Sequence, residues 1–336
     1  MTEAVARRAF PPAVARIVVA IPARDEERLI GRALGALRRD AARAGLAAEA
    51  VVLADGCRDA TAEVARAAGS AAMPVRVVER AGDGRGEAGR ARRAALEAAL
   101  ARCGPGAALL TTDADSVVRP GALAALARAL EGGADLVCGA IFTTLPRAVA
   151  HAPSIRRIDA VTARYAALVR ETRFAVDRLF GLQPEGEIPH YTESGACLAL
   201  RPDLLRRLGG APDVAAGEDR ALARAAQAAG ARVAYEGRAQ VWVSPRLGGR
   251  AAGGMAETIR ARLLDPDPEG CAMLPSAATL VAHWREALAA RERPPVPMAD
   301  PPLRASALER DRPALEALLR DEVRPAMAAA ARRRVA

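Results

Sequence analysis

The stretch LLTTDADSVVRP, residues 109–120, carries an apolar run straight into two carboxylates, Asp113 and Asp115. Carboxylates at i and i+2 in a turn can both face one cation, and a hard cation such as Mg²⁺ or Mn²⁺ takes oxygen ligands. Mg²⁺ commonly uses one or two carboxylates plus the phosphates of a substrate. The spacing therefore points to a metal that holds a diphosphate. The plainer alternative is that both aspartates cap the turn that follows. Further polar clusters repeat along the chain: PARDEE at 22–27, ADGCRD at 54–59, the glycine-rich GDGRGEAG at 82–89 and GEDR at 217–220.

These clusters sit between segments whose patterns alternate. Residues 17–21 form a continuous β-branched and apolar run, as in a parallel strand buried on both faces. Ile30, Ala33, Leu34 and Leu37 then fall on one helical stripe. Strands are expected at 51–53, 75–78, 109–112 and 136–142. Asp59 is expected to cap a helix ending at Gly69, and Pro120 opens a helix carrying Leu123, Leu126 and Leu130. Such β-α alternation argues for a mostly parallel central sheet flanked by helices. In open parallel sheets ligands bind at the carboxyl ends of the strands, where the polar clusters lie. After Pro146 one long helix is expected over 154–180, with a stripe from Ile155 to Leu179. GACLALR (195–201) reads as a strand, and ARVAYE with QVWVS (231–244) as a strand pair. Residues 255–336 look helical, interrupted by a proline-rich stretch at 294–302. The expected organisation is a loose arm (1–15), a ligand-binding half (16–145), a second half (146–250) and a helical C-terminal extension (251–336).

The ordered stretches IPARDEE, LADGCRDAT and TDADS resemble the motifs of GT-A fold glycosyltransferases, especially the large family 2 group. The first also resembles glucosyl-3-phosphoglycerate synthases. The likeness covers about residues 16–142 and 193–246. It implies a GT-A nucleotide-diphospho-sugar transferase fold, an α/β architecture with a helical C-terminal extension. The implied partners are a nucleotide-diphospho-sugar donor, Mg²⁺ or Mn²⁺ as cofactor, and an acceptor hydroxyl of unknown identity. Residue by residue, Pro22 and Ala23 would bring backbone close to the base, and Glu26 would reach the nucleoside. Asp55 would accept an N–H of the base, although Ala54 replaces the first of the family's paired aspartates. Arg85 and Arg92 would lie near the diphosphate, Asp113 near the ribose and the metal, and Asp115 on the metal itself. Glu218-Asp219 matches the family's acidic pair, which assigns Asp219 as general base and implies inversion; the glucosyl-3-phosphoglycerate synthases imply retention. Glu193-Ser194-Gly195-Ala196 resembles the stretch before the acceptor-side strand. Glu218, Gly195 and His190 are the candidate acceptor-side residues, and Arg246 is a candidate to close over the diphosphate.

Other readings remain. GRGEAG (84–89) fits the G-x-G-x-x-G fingerprint of an NAD-linked oxidoreductase, but it follows the third strand and leaves the other clusters without work. A sugar-phosphate nucleotidyltransferase would carry a basic, glycine-rich loop after the first strand, where this chain has Arg24-Asp25-Glu26-Glu27. A P-loop needs a lysine, and all 49 basic residues here are arginine. The net charge of +9 follows from that habit, and aromatics are only 3%, so nucleic acid is not an expected partner. Cys57, Cys103, Cys138, Cys197 and Cys271 are scattered and odd in number, which suits a reducing compartment rather than a disulfide framework. No apolar run reaches membrane-spanning length. Cytoplasmic location is the expectation.

Overall fold

Ile17 through Ile21 are each no more than 1% exposed in β1 (Arg16–Ala23). This strand is covered on both faces, which is why its sequence shows no polar alternation. The computed structural model describes residues 13–81, 88–183, 186–215, 217–245, 254–271, 273–290, 294–295 and 300–335. Around β1 the chain adds α1 (Ile30–Ala44), β2 (Ala47–Asp55), α2 (Thr61–Ala67), β3 (Val75–Arg80), α3 (Ala88–Leu100), β4 (Ala107–Thr111), β5 (Ser116–Val118), α4 (Ala122–Glu131) and β6 (Leu136–Phe142). Then follow α5 (Arg147–Ala150), α6 (Pro153–Leu179), β7 (Leu198–Leu200), α7 (Pro202–Arg207), α8 (Glu218–Ala228) and β8 (Val233–Val243). Helices α9 (Met255–Leu264), α10 (Ala277–Ala289), α11 (Ala305–Leu318) and α12 (Arg324–Val335) complete it, with a π-helical turn at Leu319–Val323.

The eight strands run in the order β3-β2-β1-β4-β7-β6-β8-β5. β1 pairs parallel with β2 and β4, β2 with β3, and β6 with β8, whereas β7 and β5 pair antiparallel. The expected mostly parallel sheet is therefore present. The expected strand pair at 231–244 is instead one strand, β8. It keeps pairing with β6 through a register shift between Gly139 and Ala140. The extra residues of such a bulge turn the strand without ending it.

Alternate residues of β1 feed two cores. Ile17, Val19 and Ile21 join α1 and α4 on one face, while Val18 and Ala20 join α3, α7 and α8 on the other. Burying each such branched side chain contributes about 1.5–3 kcal/mol. Two buried acids tie this layer together. Glu49 of β2, 4% exposed, accepts from Arg16 and from Arg102 Nε at 2.9 Å. Asp40 of α1, 1% exposed, accepts from Gly121 N at 2.6 Å and Leu123 N at 2.9 Å. It supplies the capping oxygens that α4 lacks in its own sequence.

Two compact units result. The described parts of 1–144 and 191–244 form the sheet unit just described, and 145–190 with 255–335 form a helical one. The sequence grouped 146–190 with 191–250; the contacts group it with the C-terminal helices. In this second unit Ile158, Tyr165, Val169 and Val176 of α6 pack with α10 and α11 around buried Trp284, and Tyr165 Oη donates to Pro275 O at 2.8 Å. The stripe seen in the sequence is a packing seam.

Candidate active site

The tip of β4 is pinned from both sides. Thr112 donates its N–H to Ala20 O at 3.1 Å and its hydroxyl to Ala196 O at 2.7 Å. Asp113 follows at once, in a turn closed by Ser116 N–H on Asp113 O at 3.1 Å. Ala114 is buried, whereas Asp113 and Asp115 on either side of it are half-buried. A rigid strand end therefore carries two accessible carboxylates, the donor set a hard cation requires.

Arg92 of α3 reaches the same tip from the adjacent helix. Its guanidinium is buried and its N–H groups meet four acceptors: Nε donates to Glu218 Oε1 at 2.7 Å, Nη1 to Thr111 Oγ1 at 2.9 Å and Gly195 O at 3.0 Å, and Nη2 to Asp113 Oδ1 at 2.5 Å. Burial works against its charge; Asp113 and Glu218 outweigh that and hold it protonated. Glu218, 7% exposed, is the first residue of α8. The approach is so close that a Cβ on Gly195 would collide with the guanidinium and push it from its present place.

Asp219, next to Glu218, accepts from Gly195 N at 3.0 Å through Oδ2 and from Arg220 N at 2.7 Å through Oδ1. Burial, and then the neighbouring Glu218 charge, push its pKa above the ordinary aspartate value; the two N–H groups and Arg92 only partly offset this. A carboxylate made more basic in this way is suited to accept a proton. Asp113, Arg92, Gly195, Glu218 and Asp219 thus form one connected cluster of hydrogen bonds.

The ends of β1 and β2 are built differently. Asp55 at the end of β2 receives a two-pronged pair from Arg80 of β3, Nε to Oδ1 at 2.9 Å and Nη2 to Oδ2 at 2.8 Å. Pro22 and Ala23 end β1 beside Leu53 and Ala54, and Cys57 Sγ lies 3.5 Å from Ala23 O. Asp25, in the left-handed region at φ 52°, accepts from Arg58 N at 2.6 Å. Glu26 N donates to Thr61 Oγ1 at 2.6 Å. Asp59 accepts from Thr61 N at 3.0 Å and from Glu27 N at 3.1 Å, and the Glu27 carboxylate accepts from Ala60 N at 3.1 Å. Ligand atoms of Asp25, Cys57 and Asp59 lie within 4.8 Å of one another, the one such group of three among the described residues. Both aspartates are occupied by backbone N–H groups, which is loop capping. A metal held by one or two carboxylates and a diphosphate needs no preformed trio, so the Asp113–Asp115 tip fits such an ion without one.

Arg85 and Arg246 lie outside the described residues. His190 belongs to the helical unit, five residues ahead of Gly195 along the chain. Sequence reasoning missed Thr111, Arg80 and the Tyr235 hydroxyl, which donates to Glu193 at 2.6 Å beside an edge-on Tyr191 ring. A β-strand hydroxyl or arginine gives no local signal; only its neighbours across the sheet reveal it. Burial lifts the Cys103 thiol to about 11 and the Cys197 thiol to about 12, which disfavours their thiolates, and no cysteine is in a disulfide.

Residues 12–253 match the model of glycosyltransferase like family 2. The chain belongs to that family. As a glycosyltransferase it also has solved structural neighbours. One is a mannosyltransferase from Pyrobaculum calidifontis in complex with GDP-Man and Mn²⁺, with TM-score 0.52 and 19% identity over 98% of this chain and 84% of that one. Others are glucosyl-3-phosphoglycerate synthase from Mycobacterium tuberculosis, with TM-score 0.42 and 22% identity over 75% of this chain and 80% of that one, and mannosyl-3-phosphoglycerate synthase from Rubrobacter xylanophilus, with TM-score 0.43 and 18% identity over 69% and 68%. The first establishes the shared GT-A fold. No curated protein matches the sequence. The dehydrogenase and nucleotidyltransferase readings fall with the family match. None of the described helices is long and apolar enough to cross a membrane.

Proposed function

We propose that this glycosyltransferase moves a sugar from a nucleotide-diphospho-sugar to an acceptor hydroxyl, with Mg²⁺ or Mn²⁺ on the Asp113–Asp115 tip and Asp219 as general base. The observation that carries the reading is the connected cluster: a candidate metal tip and a basic aspartate joined through Arg92 and Gly195. In the transfer the acceptor oxygen bonds to the anomeric carbon as the bond from that carbon to the diphosphate oxygen breaks. The hydroxyl proton passes to the Asp219 carboxylate. Attack opposite the leaving group inverts the anomeric centre. When bound, the metal supplies positive charge against the departing diphosphate. Gly195 N–H and Arg220 N–H hold both Asp219 oxygens and so aim its remaining lone pairs. Asp55, oriented by Arg80, and the backbone of Pro22 and Ala23 receive the base, with Glu26 towards the nucleoside. By the family resemblance, Arg85 and Arg246 are the candidates for the diphosphate and Glu218 for the acceptor side. Cysteines outside any disulfide suit a reducing, cytoplasmic setting.

The test is a thermal-shift panel of UDP, GDP, dTDP and NAD with and without Mn²⁺. One nucleoside diphosphate is expected to stabilise the protein only with metal. A response to NAD alone would overturn the reading.

A further inference from the structure

We propose that Arg92 is a positioning residue that fixes the metal-tip carboxylate and the candidate base in one frame, an inference that rests on the transferase reading of this site. The sequence suggested that Arg92 meets the diphosphate. The geometry points elsewhere, because four of its five N–H donors are spent on Glu218, Thr111, Gly195 and Asp113.

These acceptors come from three separate segments: the end of β4, the stretch before β7 and the first turn of α8. Among the described residues no backbone ladder joins the β4 tip to the start of α8, and the guanidinium bridges them directly. Its planar fork fixes directions as well as charge, which an ammonium on a flexible stem does not. The last link runs through one residue: Gly195 accepts from Arg92 with its carbonyl and donates to Asp219 Oδ2 with its N–H at 3.0 Å. A shift of the guanidinium therefore moves Gly195, and with it the oxygen that receives the proton. Positioning errors of this kind cost rate more than affinity.

Glycine at 195 carries the same message. A Cβ there would lie 2.4 Å from the guanidinium carbon, so any larger residue at 195 displaces Arg92 from its present place. Arg92 also lies between two acids, Asp113 and Glu218, and compensates both. It can hold Asp113 by Oδ1 and still leave that carboxylate part-exposed towards a cation.

The experiment compares full-length wild type, Arg92→Lys and Thr111→Val. Thr111→Val removes a single acceptor at nearly constant volume and keeps the protein folded if the lysine variant does not fold. GDP-mannose and UDP-glucose with Mn²⁺ are the probes. The readouts are the Kd of GDP or UDP with Mn²⁺ by calorimetry, and kcat and KM for release of the nucleoside diphosphate. We expect Arg92→Lys to keep Kd and KM within about threefold while kcat falls about 100-fold, in line with the effect of misplaced reacting groups. For Thr111→Val we expect about a fivefold fall in kcat at unchanged Kd, the size of one modest hydrogen bond. A structural arginine would lower the melting temperature and leave the kcat of the folded protein alone. Folded variants with wild-type kcat overturn the inference and leave the function standing. A Kd that weakens in step with kcat also overturns it, by putting the guanidinium on the donor. A wild type that neither binds nor releases a nucleoside diphosphate overturns the function and the inference together.

Discussion

Acidic strand ends occur in two regions of the sheet unit and are satisfied by opposite means. In the loops after β1 and β2, Asp25 and Asp59 accept from backbone N–H groups, and Asp55 pairs with the half-exposed Arg80. Around β4, Asp113 and Glu218 accept from a buried arginine. Backbone amides are neutral and abundant, so the first arrangement ties loops together without burying a charge pair. The second takes Arg92 and Glu218 out of water, where each depends on its partner, and leaves Asp113 part-exposed. The lesson is that an acidic motif is read by what answers it. Asp219 also accepts from two amides, so what sets the second region apart is the buried guanidinium beside them.

The two regions should therefore respond differently to mutation. The largest effect is expected from Asp219→Asn, which removes the base beside the buried cluster. Its kcat should fall by about 10²–10⁴, with nucleoside diphosphate Kd in Mn²⁺ unchanged, measured on the same preparation. Its amide nitrogen cannot accept as the lost oxygen did, so one of Gly195 N–H and Arg220 N–H is left without its acceptor. The folded-state pKa of Asp219 is raised by burial and by Glu218, so the fold prefers the protonated form. The ionised carboxylate thus costs stability at neutral pH, and that cost disappears as pH falls through the folded pKa. The same shift sets the acid limb of the kcat/KM profile above the range of an ordinary aspartate, with activity lost as pH falls.

Next comes Glu218→Ala, which strips the buried Arg92 of one partner. Urea denaturation should show a loss of about 3–5 kcal/mol; a loss under 1 kcal/mol would mean that water reaches the cluster and the contrast is weaker than drawn. The smallest effect belongs to the capped loops. Asp59→Ala should cost about 1 kcal/mol, the usual size of a lost cap, read from the same denaturation midpoints. A cost as large as that at Glu218 would erase the distinction between the two regions.

Much of this was legible along the chain. Ile17–Ile21 announced a doubly covered strand because burial on both faces removes polar alternation. The α6 stripe survived because helical periodicity is local. Asp113, Asp115, Glu218 and Asp219 stood out because acids after apolar runs are conspicuous. Arg80, Thr111 and Asp40 did not, since their partners lie 25 residues away for Arg80–Asp55, 19 for Thr111–Arg92 and 81 for Asp40–Gly121. Nor did the chain show that β8 is continuous, because a bulge and a hairpin break leave the same glycine and polar residues in sequence.

The sequence by itself determined which strands are buried, in what order helices follow them, and which carboxylates end up at their tips, because burial and periodicity act over neighbouring residues. Only the tertiary structure decided what answers each carboxylate. Whether an arginine on a helix faces water, a phosphate or a buried acid depends on which segments the sheet order brings together, here α3, the end of β4 and the start of α8.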